Sequence, residues 1–175
     1  MKPRLSLVIP IYNAEDFIDQ SMQYISQWIK TLEYDVEVIL VNDGSSDDSK
    51  VEIEYYIKNF DQSFKLISYE QNKGKGYAVK QGMIMAKGEF RIFTDADIPY
   101  GFEIIDNILH YLDFKEFDVC IGNRKSVHSK YFTKISFIRN LSSKIFTMFI
   151  SRYVVTGIND TQCGLKGFRA NVADQ

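Results

Sequence analysis

Glu89-Phe90-Arg91-Ile92-Phe93-Thr94-Asp95-Ala96-Asp97 is the stretch on which the fold turns. Phe90 to Thr94 is short, apolar and β-favouring except for Arg91. Gly88 bounds it on one side and Ile98-Pro99-Tyr100-Gly101 on the other, which predicts a buried strand. Two carboxylates follow at its C-terminal end, the edge at which parallel α/β sheets bind ligands. Strand alternation sends Asp95 and Asp97 to the same side of the small Ala96, where both can converge on one hard cation. The competing reading of Asp-Ala-Asp is a solvated, helix-capping turn.

Outward from this strand the chain alternates. Leu5 to Ile11 is a continuous apolar run, with Pro10 expected to end its ladder, and Ala14 to Leu32 carries apolar residues at helical spacing. Val36 to Val41 is a second apolar strand, closed by Asn42-Asp43-Gly44-Ser45-Ser46-Asp47, and a helix follows from about Asp47 to Asn59. Phe64 to Tyr69 is a third strand, and Asn72-Lys73-Gly74-Lys75-Gly76 leads to a helix from about Tyr77 to Ala86. Beyond the central strand, Phe102 to Leu112 is helical and Val119 to Gly122 is a further strand. Strands alternating with helices imply right-handed crossovers and a mainly parallel sheet sandwiched by helices, in one doubly wound domain over residues 1–175. Tyr12, Asn13, Glu15, Asp43, Lys75, Asp95 and Asp97 then fall at one edge of that sheet. The glycines of residues 74–76 make neither a dinucleotide fingerprint nor a P-loop.

Composition bounds the classes. The chain has 175 residues, 45% hydrophobic and 25% charged, which suits one globular domain. Its two cysteines, Cys120 and Cys163, follow no metal spacing and fit a reduced, cytoplasmic setting. No secretory leader is read in Leu5 to Ile11, and no run reaches the roughly 18 apolar residues of a spanning helix. The final Asp174-Gln175 follows closely on a motif, so a longer protein with a C-terminal anchor is an open expectation.

The net charge of −2 is unevenly spread. From Arg124 to Ile158 there are seven Lys or Arg and no Asp or Glu, interleaved with apolar residues. The segment over 124–158 reads as a basic amphipathic helix or helix pair facing an acceptor or an anionic membrane surface, or else as ordinary packing with solvated lysines. Nucleic acid is not an expected partner, since no nucleic-acid fold is present.

Five elements together resemble a family 2 glycosyltransferase of the GT-A fold: Val8-Ile9-Pro10-Ile11-Tyr12-Asn13-Ala14-Glu15, Val41-Asn42-Asp43-Gly44-Ser45-Ser46-Asp47, Asn72-Lys73-Gly74-Lys75-Gly76, Thr94-Asp95-Ala96-Asp97, and Asp160-Thr161-Gln162-Cys163-Gly164-Leu165-Lys166-Gly167-Phe168. Gly74-Lys75-Gly76, Gly122-Asn123-Arg124 and the last element are most similar to the dolichyl- or polyprenyl-phosphate glucosyl- and mannosyltransferase branch. The resemblance implies an inverting hexosyltransferase using a UDP-glucose or GDP-mannose type of donor. Its acceptor is a polyprenyl phosphate at the cytoplasmic membrane face, to which the protein is peripheral or anchored. It assigns Pro10, Tyr12 and Glu15 to the nucleoside, Asp43 to its base or ribose, Asn13 to substrate binding, and Asp97, with Asp95 beside it, to Mg2+ or Mn2+. Pro99 stands where relatives often place a further ligand, so water or a donor oxygen must fill that position.

By the same resemblance Arg124 and Arg139 hold the acceptor or donor phosphate; Lys75 is a substrate-binding residue, Lys166 a candidate for phosphate contact, and Gln162 a donor to the sugar. Asp160 positions the acceptor or acts as base, with Asp160, Asp97 and Arg124 as the catalytic group. Local alternatives stay open: Asp43 as an Asx-turn with Gly44, and Asp160 as a turn acid after Asn159. So do three other activities: sugar transfer to a glycan hydroxyl, a sugar-nucleotide pyrophosphorylase, and a non-catalytic nucleotide-sugar binding module.

Overall fold

The computed structural model describes residues 2–123, 160 and 163–175. The chain divides into two compact units, Met1–Cys120 with Leu165–Gln175, and Ile121–Gly164. Among the described residues, the helices and nearly all of the sheet belong to the first.

The strands are β1 (Leu5–Ile11), β2 (Val36–Asp43), β3 (Phe64–Tyr69), β4 (Phe90–Phe93), β5 (Val119–Ile121) and β6 (Lys166–Arg169). The helices are α1 (Ile18–Ile29), α2 (Ser49–Asn59), α3 (Lys75–Met85), α4 (Phe102–Asp113) and the short α5 (Ala170–Ala173). Spatial order is β3-β2-β1-β4-β6-β5. β1, β2, β3 and β4 pair in parallel, whereas β6 runs antiparallel to β4. This is the mainly parallel sheet expected from the sequence. The winding reverses between β1 and β4, and such a reversal opens a crevice at the strand C-termini.

β1 and β2 are buried along almost their whole length and mostly apolar, because both faces of a parallel sheet are covered. Val8 pairs with Ile39 on one side and Phe93 on the other, and all three share a cluster with Ala78 and Met83 of α3. A Cβ on Gly82 would collide with Val8 Cγ1, so α3 lies directly on this face. The next residue along, Ile92, faces the other way. It pairs with Gly167, whose missing side chain lets Ile108 and Leu112 of α4 approach. On α1, Ile18, Met22 and Ile25 form the buried stripe, and Trp28 stacks on Phe102 of α4 with centroids 4.8 Å apart. Helices therefore cover both faces.

Four local expectations are corrected. Pro10 does not end its strand: pairing with β2 continues to Ile11 and Asn42. In a parallel strand alternate N–H groups face the same neighbour, so the position of Pro10, two after Val8, faces the β4 side. There β4 has already ended at Phe93, and no donor is needed. β4 stops at Phe93 rather than continuing, so strand alternation does not orient Asp95 and Asp97. A turn does: the Asp95 carbonyl accepts the Ile98 N–H at 3.1 Å. α3 begins at Lys75, not Tyr77, because Gly74 at φ +89° starts it and its carbonyl accepts the Tyr77 and Ala78 N–H groups. Lys166-Gly167-Phe168-Arg169 is a strand that local pattern did not announce.

Two buried charged residues of the sheet, Glu37 and Arg91, find partners at its opposite edge. Glu37 accepts from Ser6 Oγ at 2.6 Å, Lys65 Nζ at 2.5 Å and the Lys87 N–H at 2.6 Å. Arg91, the exception in its apolar strand, donates to Asp174 Oδ1 at 2.6 Å and to the Met83 carbonyl at 3.0 Å.

Candidate functional site

The C-terminal ends of β1, β2, β3 and β4 share one edge, and the loops beyond them are tied together by side chains. Asn13, at φ +48°, accepts the Ser46 N–H at 2.9 Å and donates its own N–H to Ser45 Oγ at 3.0 Å. Glu15 accepts the Asp48 N–H at 2.9 Å and donates its N–H to Asp47 Oδ2 at 3.0 Å. Asp47 Oδ1 in turn accepts from Ser49 N and Oγ, capping α2. Partial burial would raise the Asp47 carboxyl, but the Ser49 hydroxyl and the Glu15 and Ser49 N–H groups hold it below the usual carboxylate range. Asn13 and Glu15 are thus spent on joining two loops, while Tyr12 beside them is half exposed and available to stack on a flat ligand.

Asp43 closes β2 and is 2% exposed. Its Oδ1 accepts the Lys73 N–H at 2.8 Å. The Lys73 ammonium lies 4.8 Å from the Tyr77 ring centroid and 5.6 Å from that of Tyr69, and the two rings pack edge to face. Burial, then the neighbouring Asp43 carboxylate, pushes the Tyr69 phenol well above its ordinary value. Gly44, at φ +67°, lets this loop press on the backbone of Gln71 and Asn72, where a Cβ would come within 2.6 Å of Asn72 N. Sequence reading found Asp43 but not the Lys73–Tyr69–Tyr77 cluster around it. The aromatic spacing of Tyr69 and Tyr77 across the glycine loop was the available signal.

Beyond β4, Asp95 forms an ion pair with Lys75, the first residue of α3. Asp97 is exposed at the turn, and its carboxyl is raised by desolvation and then by the Asp95 carboxylate, against its own N–H and Lys75. The Asp95 carboxylate thus acts on Asp97, one residue removed across Ala96. Ile98, next in line, holds φ +44°. Antiparallel pairing of Lys166 with Phe93 brings a further ammonium to the same strand end, 5.7 Å from the Phe93 ring centroid. Among the described residues no group of three His, Cys, Asp or Glu gathers as a ready metal cage. Two carboxylates that leave most positions to water and phosphate oxygen nevertheless fit a hard cation of the Mg2+ type.

In the second unit, Asp160 is buried and its carbonyl accepts the Cys163 N–H at 3.4 Å. Arg124, Arg139 and Gln162, and the whole 124–158 segment, lie outside the described residues. Among the described residues no helix is long and apolar enough to cross a membrane. The clefts along α2, lined in part by Lys50, Lys58 and Lys65 or by Val51, Tyr55 and Phe60, do not include Asp43, Asp95 or Asp97 in their lining.

Residues 6–175 match the model of the family described as Glycosyl transferase family 2. The chain is 31% identical over 179 residues to dolichyl-phosphate beta-glucosyltransferase of Dictyostelium discoideum, covering 97% of this chain and 55% of that protein. It is 30% identical to undecaprenyl-phosphate 4-deoxy-4-formamido-L-arabinose transferase of Pseudomonas fluorescens, covering 97% and 48%. The chain thus spans about half the length of the curated relatives it matches. Among solved structures, glucosyl-3-phosphoglycerate synthase from Mycobacterium tuberculosis with Mn2+, UDP-glucose and phosphoglyceric acid superposes with TM-score 0.68 at 15% identity, covering 97% of this chain and 57% of that one. A mannosyltransferase from Pyrobaculum calidifontis with GDP-Man and Mn2+ gives 0.62 at 17%, covering 97% and 45%.

Proposed function

The chain belongs to glycosyl transferase family 2, and from that premise we propose that it moves a hexose from a nucleotide sugar onto a polyprenyl phosphate at the cytoplasmic membrane face. One observation carries the acceptor. The names of three relatives vary in the sugar, from glucose to formamido-arabinose to galacturonate, while each carries a polyprenyl phosphate: dolichyl, undecaprenyl or dodecaprenyl.

The reaction is displacement at the anomeric carbon. An acceptor phosphate oxygen forms the new C–O bond as the bond to the nucleoside diphosphate breaks, with inversion. Asp97 and Asp95 are the residues that would hold Mg2+ or Mn2+, and the cation, when bound, neutralises charge on the departing diphosphate. Tyr12 and the Asp43–Lys73–Tyr77 cluster receive the nucleoside. The ammonium groups of Lys75 and Lys166 face the anionic donor at the strand end. A phosphate acceptor is already ionised near neutral pH, so Asp160 serves to position acceptor or sugar rather than to remove a proton. Arg124 and Arg139 pair with phosphate, and Gln162 with the sugar. Association with the membrane is through the basic segment over 124–158.

The test is transfer of labelled sugar from UDP-glucose and from GDP-mannose to a short polyprenyl phosphate, with and without Mg2+ or Mn2+. Wild type is run beside Asp97→Ala and Asp160→Asn. Lipid-linked product that needs metal and Asp97 and survives Asp160→Asn is expected. Turnover on a hydroxyl acceptor that is lost in Asp160→Asn would favour a glycan-forming transferase. Donor binding without any transfer would leave only a binding module.

A further inference from the structure

We propose that Lys75 is a latch on Asp95: in the donor-free protein its ammonium holds the carboxylate that a divalent cation needs, and the diphosphate of the incoming donor releases it. The inference rests on reading Asp95 and Asp97 as the metal pair.

The position of Lys75 argues for this. It is the first residue of α3, where the helix dipole disfavours a cation, and the first turn holds no acidic residue to compensate. Nothing within α3 rewards an ammonium there. Its ion pair is made instead across the crevice with Asp95, which lies 20 residues on. Lys73, two residues earlier, carries the same charge but is held over the Tyr69 and Tyr77 rings.

The surroundings allow the switch. Both partners remain partly exposed, 52% for Lys75 and 32% for Asp95, and exposed ion pairs of this kind are weak. A Cβ at Gly74 or Gly76 would meet nothing within 4 Å, so there is room on both sides of Lys75 for a ligand and for the side chain to swing. The α3 N-terminus has no side-chain cap, and its free N–H groups favour a phosphate at the place that the ammonium would follow it to.

The consequence is coupling. With Asp95 held by Lys75 and no third ligating side chain gathered among the described residues, a metal ion alone meets little more than Asp97. A diphosphate that draws Lys75 away frees Asp95 and adds its own oxygens. Metal and nucleotide therefore tighten each other's binding by one common factor, as linkage requires.

The experiment is a Mn2+ titration followed by the spin-resonance signal of the free ion, with and without saturating UDP or GDP. Wild type is compared with Lys75→Met and with Lys80→Met, a change at an exposed lysine further along α3. Lys75→Met is expected to bind Mn2+ without nucleotide about tenfold more tightly than wild type, and to lose most of the nucleotide-dependent gain. Lys80→Met, with the same change in net charge, is expected to behave as wild type. Unchanged or weaker Mn2+ binding in Lys75→Met, with nucleotide-dependent binding intact in wild type, overturns the latch alone. An equal gain in Lys80→Met assigns the effect to diffuse charge and also overturns it. Absence of Mn2+ binding in every protein, nucleotide included, overturns the metal reading and the latch with it.

Discussion

Asn13 Oδ1 accepts both the backbone N–H of Ser46, at 2.9 Å, and its hydroxyl, at 3.3 Å. The loop after β1 is therefore fixed to the loop after β2 before any ligand arrives. Asn13 also sits at φ +48°, which Asn tolerates and most residues do not. Asn13→Ala loses the acceptor and strains the backbone, whereas Asn13→Gly loses only the acceptor. Each lost hydrogen bond costs about 1 kcal/mol, or about fivefold in nucleotide affinity if the loops hold the nucleoside. Calorimetric titration with UDP or GDP should rank wild type above Asn13→Gly above Asn13→Ala. Equal affinities would mean that the joined loops do not shape the nucleotide site.

The buried Glu37 sets part of the acid stability. Burial alone would raise its carboxyl, but the hydrogen bonds from Lys65, Ser6 and the Lys87 N–H outweigh this and hold it below the ordinary range. A depressed acid adds stability above its unfolded value, about 4.3, and that contribution is lost as pH falls through the folded value. Glu37→Gln should cost about 1–3 kcal/mol at pH 7. Denaturant melts of the two proteins should converge below about pH 4. A difference that persists undiminished in acid would point to packing instead.

Strain is stored beside the acidic pair. Ile98 is β-branched yet adopts φ +44°, and its carbonyl accepts the Gly101 N–H at 3.2 Å, so two turns share it. A left-handed L-residue costs roughly 1–2 kcal/mol. Ile98→Asn, at ease in that region, should leave the melting temperature unchanged or raised, although a half-buried Ile is lost. A fall of several degrees would show that the Ile98 side chain contributes more by packing than its backbone costs.

Much of this architecture was legible, and the limits have physical causes. Leu5–Ile11 and Val36–Val41 announce themselves because a parallel sheet covered on both faces leaves no polar alternation. Asp95 and Asp97 were found because they follow such a strand, although a turn orients them. Arg91 could not be explained from its neighbours, since its partner Asp174 lies 83 residues away. β6 was missed because Lys166-Gly167-Phe168-Arg169 has little strand propensity of its own and is ordered by β4 and by α4 packing over Gly167. Asn13 and Glu15 fall at the sheet edge where sequence reading expected them, and there their side chains accept from Ser46 and Asp48. A sequence motif marks a position without saying which neighbour takes its hydrogen bonds.

Asp43 offers the sharpest separation of structure from recognition. Its Oδ1 accepts the Lys73 N–H, and its charge, after burial, keeps the Tyr69 phenol protonated. Asp43→Asn preserves shape and the Lys73 acceptor but removes the charge. The Tyr69 phenol should then ionise at lower pH, visible as an earlier tyrosinate absorbance step. A phenol raised in the folded state adds stability that is full below about pH 10 and fades as pH rises towards the folded value. Wild type should therefore lose stability in alkali over a higher range than Asp43→Asn. If Asp43 also reads a base N–H, the variant should bind UDP or GDP about tenfold or more weakly at neutral pH, with its fold intact. A shifted tyrosine step with unchanged nucleotide affinity would confine Asp43 to holding the Lys73 loop.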